Sequence, residues 1–269
     1  MSVRLVALDI DGTLLAPGVT HTALPDPAMT RVIAELIEAG VVMVLATGRM
    51  FPGTARIANH LGITNPLICQ QGASTHDLHG QVLHRCSIDQ EIAHELALFA
   101  QEEDWPYAWF DAERYLVSAP NPASQHFADV SCIEIEHHEA PQHSGVIASG
   151  IDIISTVDHS SEIHGHLEER YGARVELLDF SSVTAVHSAD ASKGNALAML
   201  ADDLGIDRSE VMAIGDSAND ASMLSWAGHG AAPGHCDRYA RAAADEVVAG
   251  AGVDGVAALL QEVLRSQAV

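Results

Sequence analysis

Two aspartates one residue apart, Asp9 and Asp11, close an apolar run and lead into Gly12 and Thr13. Ligands of open parallel sheets gather beyond the carboxyl ends of the strands, so carboxylates there suit acid–base chemistry or metal binding. An ordinary Asp-Gly turn is the alternative reading. Three further segments share this character. Thr47-Gly48-Arg49 follows the run ending at Ala46, Gly215-Asp216-Ser217-Ala218-Asn219-Asp220 follows the run ending at Ile214, and Ser192-Lys193-Gly194 opens a helix. Lys193 is the only lysine among 13 Lys+Arg. A lysine kept beside a glycine in an otherwise arginine-only chain fits a task for a compact charge, such as meeting a phosphoryl oxygen. Chance would leave the same single lysine.

The elements that must position these residues alternate. Val3 to Leu8 reads as a strand, and Asp26-Pro27 supplies an N-cap and first helical residue. Met29, Val32, Ile33, Leu36 and Ile37 then follow helical spacing until Gly40. Val41 to Leu45 is a second strand, Pro52 to Leu61 a second helix closed by Gly62, and Pro66 to Cys69 a third strand. Strands apolar on both faces, joined through helices, predict a Rossmann-like α/β fold with a parallel sheet covered on both sides.

The middle of the chain differs. Ile133 to Glu136 and Arg174 to Leu177 alternate strictly, as strands with one wet face do, and helical patterns run through Ile92, Leu96 and Phe99 and through Ile163, Leu167 and Tyr171. Trp105, Tyr107, Trp109 and Phe110 read as core packing of this segment. The first texture returns at Leu197, Leu200 and Leu204, in the strand Val211 to Ile214 and in a last helix through Val256, Leu260 and Val263. The expected organisation is a core of residues 1–82 and 184–269 with an inserted α/β domain at 83–183.

Composition narrows the partners. With 37 Asp+Glu against 13 Lys+Arg the net charge is −24, which disfavours nucleic acid and anionic membrane surfaces. No apolar run is long enough to cross a bilayer, the start of the chain does not read as a secretory signal, and the four scattered cysteines read as reduced thiols. A cytoplasmic monomer is the expectation. The 16 histidines include His137-His138 and His164-Gly165-His166, but no spacing completes a zinc ligand set.

The four motifs, D-I-D-G-T, A-T-G-R, S-K-G-N-A-L and G-D-S-A-N-D-A-S-M-L, in this order and with an insertion between the second and third, resemble the haloacid dehalogenase superfamily. More narrowly they resemble its Cof-type, sugar-phosphatase-like subfamily with a C2B cap. The resemblance implies a Mg²⁺-dependent phosphatase acting on a small phosphorylated metabolite. Asp9 would be the nucleophile that forms an aspartyl-phosphate, and Asp11 the acid and then the base. Mg²⁺ would sit on the Asp9 carboxylate, the Asp11 carbonyl and the Asp216 carboxylate. Thr47, the Gly48 and Ile10 amides, Lys193 and Asn219 would hold the phosphoryl oxygens, with Asp220 steadying Lys193 or a metal-bound water.

Two departures stand out. Gln71-Gly72-Ala73 replaces the usual Asn-Gly-Ala, and Pro233-Gly234-His235-Cys236 replaces Met-Gly-Asn-Ala. Transfer of the phosphoryl group to a sugar hydroxyl, by a mutase or phosphotransferase, is an alternative outcome of the same residues. A non-catalytic phospho-ligand sensor is a third reading, disfavoured because a binder needs no nucleophile. Residues 89–179 contain 19 Asp+Glu and 3 Arg, a net of −16. That charge serves solubility, or it penalises substrates with negative charge beyond the phosphoryl group.

Overall fold

The computed structural model describes residues 3–249 and 252–267. In chain order it begins β1 (Leu5–Leu8), α1 (Pro27–Glu38), β2 (Val42–Leu45), α2 (Phe51–Leu61), β3 (Leu67–Cys69), β4 (Ser74–His76) and β5 (Val82–Arg85). The middle contains α3 (Gln90–Glu102), β6 (Tyr107–Phe110), β7 (Tyr115–Val117), α4 (Pro122–Ser131), β8 (Glu136–His137), β9 (Gly150–Ile154), α5 (Val157–Tyr171), β10 (Val175–Asp179) and β11 (Val183–Ser188). The chain closes with α6 (Lys193–Asp203), β12 (Val211–Ile214), α7 (Ala221–Trp226), β13 (His229–Pro233), α8 (Arg238–Ala243), β14 (Glu246–Val248) and α9 (Val253–Gln267).

The first sheet is parallel throughout, in the order β14-β13-β12-β1-β2. Leu5 to Leu8 are all fully buried because helices cover both faces. On one side α1 and α9 pack through Met29, Ile33, Leu36 and Leu260; on the other α6 and α7 pack through Leu197, Leu200 and Met223. Asp26 caps α1 as its position predicts, its Oδ1 accepting from the amides of Ala28 and Met29 at 2.8 Å. The chain leaves β1 for β2 on one side and returns to β12 on the other. A crevice therefore opens between β1 and β12 at their carboxyl ends.

The third strand departs from expectation. β3 touches the parallel sheet through one bridge, Ala46 to Ile68, and otherwise pairs antiparallel with β4, which pairs with β5. A three-residue apolar run fixes burial but not its partner, and the tight turn at Gln70–Gly72 folds the chain back on itself.

The second sheet has the order β10-β11-β9-β6-β7-β8, antiparallel except for β7 with β8. Its last strand, Val183–Ser188, pairs with β9 and β10, so this sheet runs five residues past the expected boundary at 183. The alternating stretch Ile133 to Glu136 yields only the two-residue β8 at an edge, whereas the other forms the longer β10. One sheet face packs on α3 and α5 through Tyr107, Trp109, Ile151 and Ile153. The other carries Ala108, Phe110, Tyr115 and Val117 against Met50 and Phe127. The aromatic run is thus divided by its alternation, with Tyr107 and Trp109 in the helix-side core and Phe110 opposite. Among the described residues no helix is long and apolar enough to cross a membrane. All four cysteines are free.

Candidate active site

Leu8 pairs with Ile214, so Asp9 and Gly215 leave adjacent strands side by side. Gly12, at φ +94°, lets the first loop press against the Asp216 carboxylate, where any Cβ would collide. Thr13 Oγ donates to Asp216 Oδ1 at 3.3 Å, which ties the first motif to the last.

Lys193 begins α6, whose N-terminus is capped by Ser192 Oγ accepting from the Asn195 amide at 3.1 Å. Its side chain is fully buried, and Nζ donates to Asp9 Oδ1 and Asp220 Oδ1, both at 2.6 Å. Asp220 Oδ2 accepts the amides of Asp216 at 3.0 Å and Ser217 at 3.1 Å. Asp220 therefore fixes the lysine and the loop that presents Asp216.

The charge balance is negative. Burial raises the Asp9 carboxyl well above its ordinary range, Asp220 adds to this, and Lys193 opposes it. Burial, then Asp220, pushes Asp216 up to about 6. Burial also works against the Lys193 charge, but Asp220 and Asp9 outweigh it and raise the ammonium. Carboxylate oxygens of Asp9, Asp216 and Asp220 lie within 4.8 Å of one another. Three hard oxygen donors around one ammonium fit a divalent cation of the Mg²⁺ type, which would remove the residual repulsion. Asp220 is occupied by Lys193 and two amides, and it lies behind the cavity that Asp9 and Asp216 line.

Asp11 meets a different partner. Arg49 Nε donates to Asp11 Oδ2 at 2.8 Å and Nη2 to Oδ1 at 2.5 Å. The guanidinium is buried, while the Asp11 side chain is 53% exposed. Arg49 Nη1 also donates to the Val130 carbonyl of α4 at 3.3 Å, and the Met50 amide donates to Ser131 Oγ at 3.1 Å. The end of α4 thus sits on the start of α2, so closely that a Cβ on Gly53 would overlap the Val130 carbonyl.

The two departures also take up structural roles. Gln71, with φ +59°, accepts at Oε1 from Asn219 Nδ2 at 3.0 Å. Ser217 Oγ donates to Asn219 Oδ1 at 2.6 Å and orients that amide. His235 Nε2 donates to the Gly12 carbonyl at 2.8 Å, bracing the loop that bears Asp11.

Asp9, Asp11, Thr47, Gly48, Asp216 and Asn219 line one cavity of about 840 Å³. Lys193 reaches it only through Asp9, and the Ile10 side chain points into the core cluster instead. The cavity continues to the second sheet, where Phe110, Tyr115, Phe127, Asp152 and His187 line it. Sequence reasoning gave Phe110 to core packing alone and passed over Tyr115, Phe127, Asp152, His187 and the Arg49–Asp11 pair. Arg49 stood inside a quoted motif, and Asp152 stood as a lone charge within the apolar Gly150–Ile154, which was the available signal.

Residues 6–260 match a family model described as haloacid dehalogenase-like hydrolase. An HMP-PP phosphatase of Serratia proteamaculans is 29% identical over 86% of this chain and 84% of its own length. Phosphatase YwpJ of Bacillus subtilis is 27% identical over 97% of this chain and all of its own. A longer Arabidopsis thaliana protein, named Endoribonuclease YBEY, chloroplastic, is 27% identical over 93% of this chain, which spans only 44% of that relative. The crystal structure of a haloacid dehalogenase-like hydrolase from Bacteroides thetaiotaomicron superposes with a TM-score of 0.83 at 21% identity, covering 97% of this chain and 100% of that one. This last likeness speaks for the fold.

Proposed function

Because the chain belongs to the haloacid dehalogenase-like hydrolases, and is a phosphatase of that family, we propose that it hydrolyses the phosphate monoester of a small metabolite through an aspartyl-phosphate on Asp9. The observation that supports this reading most is the setting of Asp9. It lies at the β1–β12 crevice, lines the cavity, and is held by Lys193 Nζ at 2.6 Å.

Asp9 is the nucleophile, and its carboxylate must approach a phosphoryl group that is itself negative. Each unit pair of like charges at ~4 Å costs about 4 kcal/mol at an effective dielectric of ~20. Lys193 offsets part of that repulsion. Asp9 and Asp216, with the Asp11 carbonyl, would hold Mg²⁺, which when bound supplies further positive charge against the phosphoryl oxygens. Thr47, Asn219 and the amides of Gly48 and Ile10 orient those oxygens. Asp11 gives its proton to the leaving alkoxide, then takes one from the water that attacks the aspartyl-phosphate, releasing phosphate and restoring Asp9. The segment carrying the second sheet, which we place between residues near 86 and 189, is the cap that closes over the leaving group.

The test is phosphate release from a panel of phosphorylated metabolites and p-nitrophenyl phosphate, with and without Mg²⁺, by the wild type and Asp9→Asn. Turnover that needs Mg²⁺ and falls to background in Asp9→Asn is expected. Near-normal release by folded Asp9→Asn protein would overturn the mechanism.

A further inference from the structure

The face of the second sheet that looks onto the cavity has its contents set by strand register. Gly150 lies between Phe110 and His187, and Asp152 lies between Ala108 and Ala185. Side chains two apart on a strand share a face, so Asp152 has Gly150 and Ile154 along its own strand and an alanine on either side across the sheet. Its carboxylate lines the cavity in a hollow beside the two alanines, while the Phe110 and His187 rings close over Gly150. Beside the hollow stand three packed rings, with centroids 4.8 Å apart for Tyr115–Phe127, 6.1 Å for Phe110–Tyr115 and 6.4 Å for Phe110–Phe127.

The polar groups in this hollow lack protein partners among the described residues. Asp152 is 7% exposed, and its carboxylate has no side-chain or backbone hydrogen bond among the described residues. The Tyr115 hydroxyl likewise has no partner among them. His187 is 3% exposed and its Nδ1 is buried without a partner. Burial pushes Asp152 up to about 7 and His187 down to about 4. A carboxylate this enclosed, facing a cavity with no protein donor, is costly to ionise, and a ligand with a charge and donors of its own would offset that cost.

We infer that Asp152 binds a cationic nitrogen on the leaving group, so that the cavity selects phosphate esters of flat, positively charged aromatic alcohols over those of sugars. The inference rests on the phosphatase reading of the same cavity. A buried sugar needs polar partners on every side, and a wall of three rings supplies few of them. A flat ring packs against the half-buried Phe127, with Phe110 and Tyr115 (each 2% exposed) behind it, and a cation near these rings and a desolvated carboxylate gains from both. The net charge of −16 across residues 89–179 acts in the same direction.

Matched esters test it: 4-(aminomethyl)benzyl phosphate, 4-methylbenzyl phosphate and glucose 6-phosphate. Wild-type kcat/KM is expected to favour the cationic ester over each of the others by about ten- to a hundredfold. Asp152→Asn should bring the cationic-to-neutral ratio close to one. Asp158→Asn, which removes an equal charge from the exposed start of α5, should leave that ratio unchanged. A wild-type ratio near one, or a preference that survives Asp152→Asn, overturns the inference while leaving the phosphatase reading intact. If the wild type releases phosphate from none of these esters nor from p-nitrophenyl phosphate, the phosphatase reading fails instead. Calorimetric binding of 4-(aminomethyl)benzyl alcohol against 4-methylbenzyl alcohol, on wild type and Asp152→Asn, then decides the inference by the same ratio.

Discussion

Arg49 holds both carboxylate oxygens of Asp11, at 2.8 and 2.5 Å, while its remaining nitrogen reaches the Val130 carbonyl at 3.3 Å. The acid–base candidate of the core and the last turn of α4 are thus bound to one planar cation. Orientation of Asp11 is therefore coupled to the seating of the second sheet's domain over the site.

Arg49→Lys keeps the charge but loses the fork, since an ammonium cannot meet two carboxylate oxygens and a carbonyl in one plane. The expected effect is a fall of about ten- to a hundredfold in kcat, the scale of a catalytic group displaced by about 1 Å. Steady-state kinetics across pH would check it. An unchanged kcat and pH profile would show that Asp11 needs no such positioning.

On the proposed mechanism Mg²⁺ should stabilise the fold as well as support turnover, because the groups that would hold it are gathered only by folding. At a hundredfold excess over Kd the linkage is about 2.7 kcal/mol, or roughly 5 °C in melting temperature for a chain of this size. Scanning calorimetry with Mg²⁺ and with EDTA measures the shift. Asp216→Asn should remove most of it, and a shift that persists in that variant would place the ion elsewhere.

Stability against pH should show two opposing slopes from the cavity wall. Asp152 has a folded value of about 7 against 3.8 unfolded, so its ionisation destabilises the fold progressively as pH rises from about 4 to 7. The effect is about 4 kcal/mol at pH 7 and above. His187 has a folded value of about 4 against 6.5 unfolded, so the stability of its neutral form is lost as pH falls through that interval. The two slopes nearly cancel between about pH 4 and 6.5. Asp152→Asn should therefore be more stable than wild type at pH 7.5, with an advantage that shrinks to little at pH 4. Urea unfolding at pH 4.5, 6 and 7.5 checks this, and a pH-independent difference would contradict it.

The acidic middle segment predicts a salt effect. A sugar bisphosphate should have a lower kcat/KM than its monophosphate at low ionic strength, and the gap should narrow as salt shortens the Debye length to ~10 Å at 0.1 M. Equal values at low salt would reduce the acidic surface to solvation.

The core was legible because its strands are apolar on both faces, which admits few environments other than a covered parallel sheet. Asp9 and Asp216 were legible as residues that follow two such strands. Arg49 was not, because the target of a long side chain depends on loops separated by 38 positions. Asp152 was hidden for another reason. Its strand pattern predicts burial, but the alanines that make its hollow lie on β6 and β11, and only register brings them together. The alternation at Ile133 to Glu136 misled because a pleat-like pattern requires a partner edge, and β7 offers one only to Glu136 and His137.

The single lysine has a use outside catalysis. Its ε-amine is sealed beneath two carboxylates, so reagents that acylate lysine side chains find no target in the native fold. Any such labelling of Lys193 would report that α6 has parted from β1. The protein therefore contains a built-in chemical clock for the opening of its core, readable by mass spectrometry as a single lysine adduct at one known position.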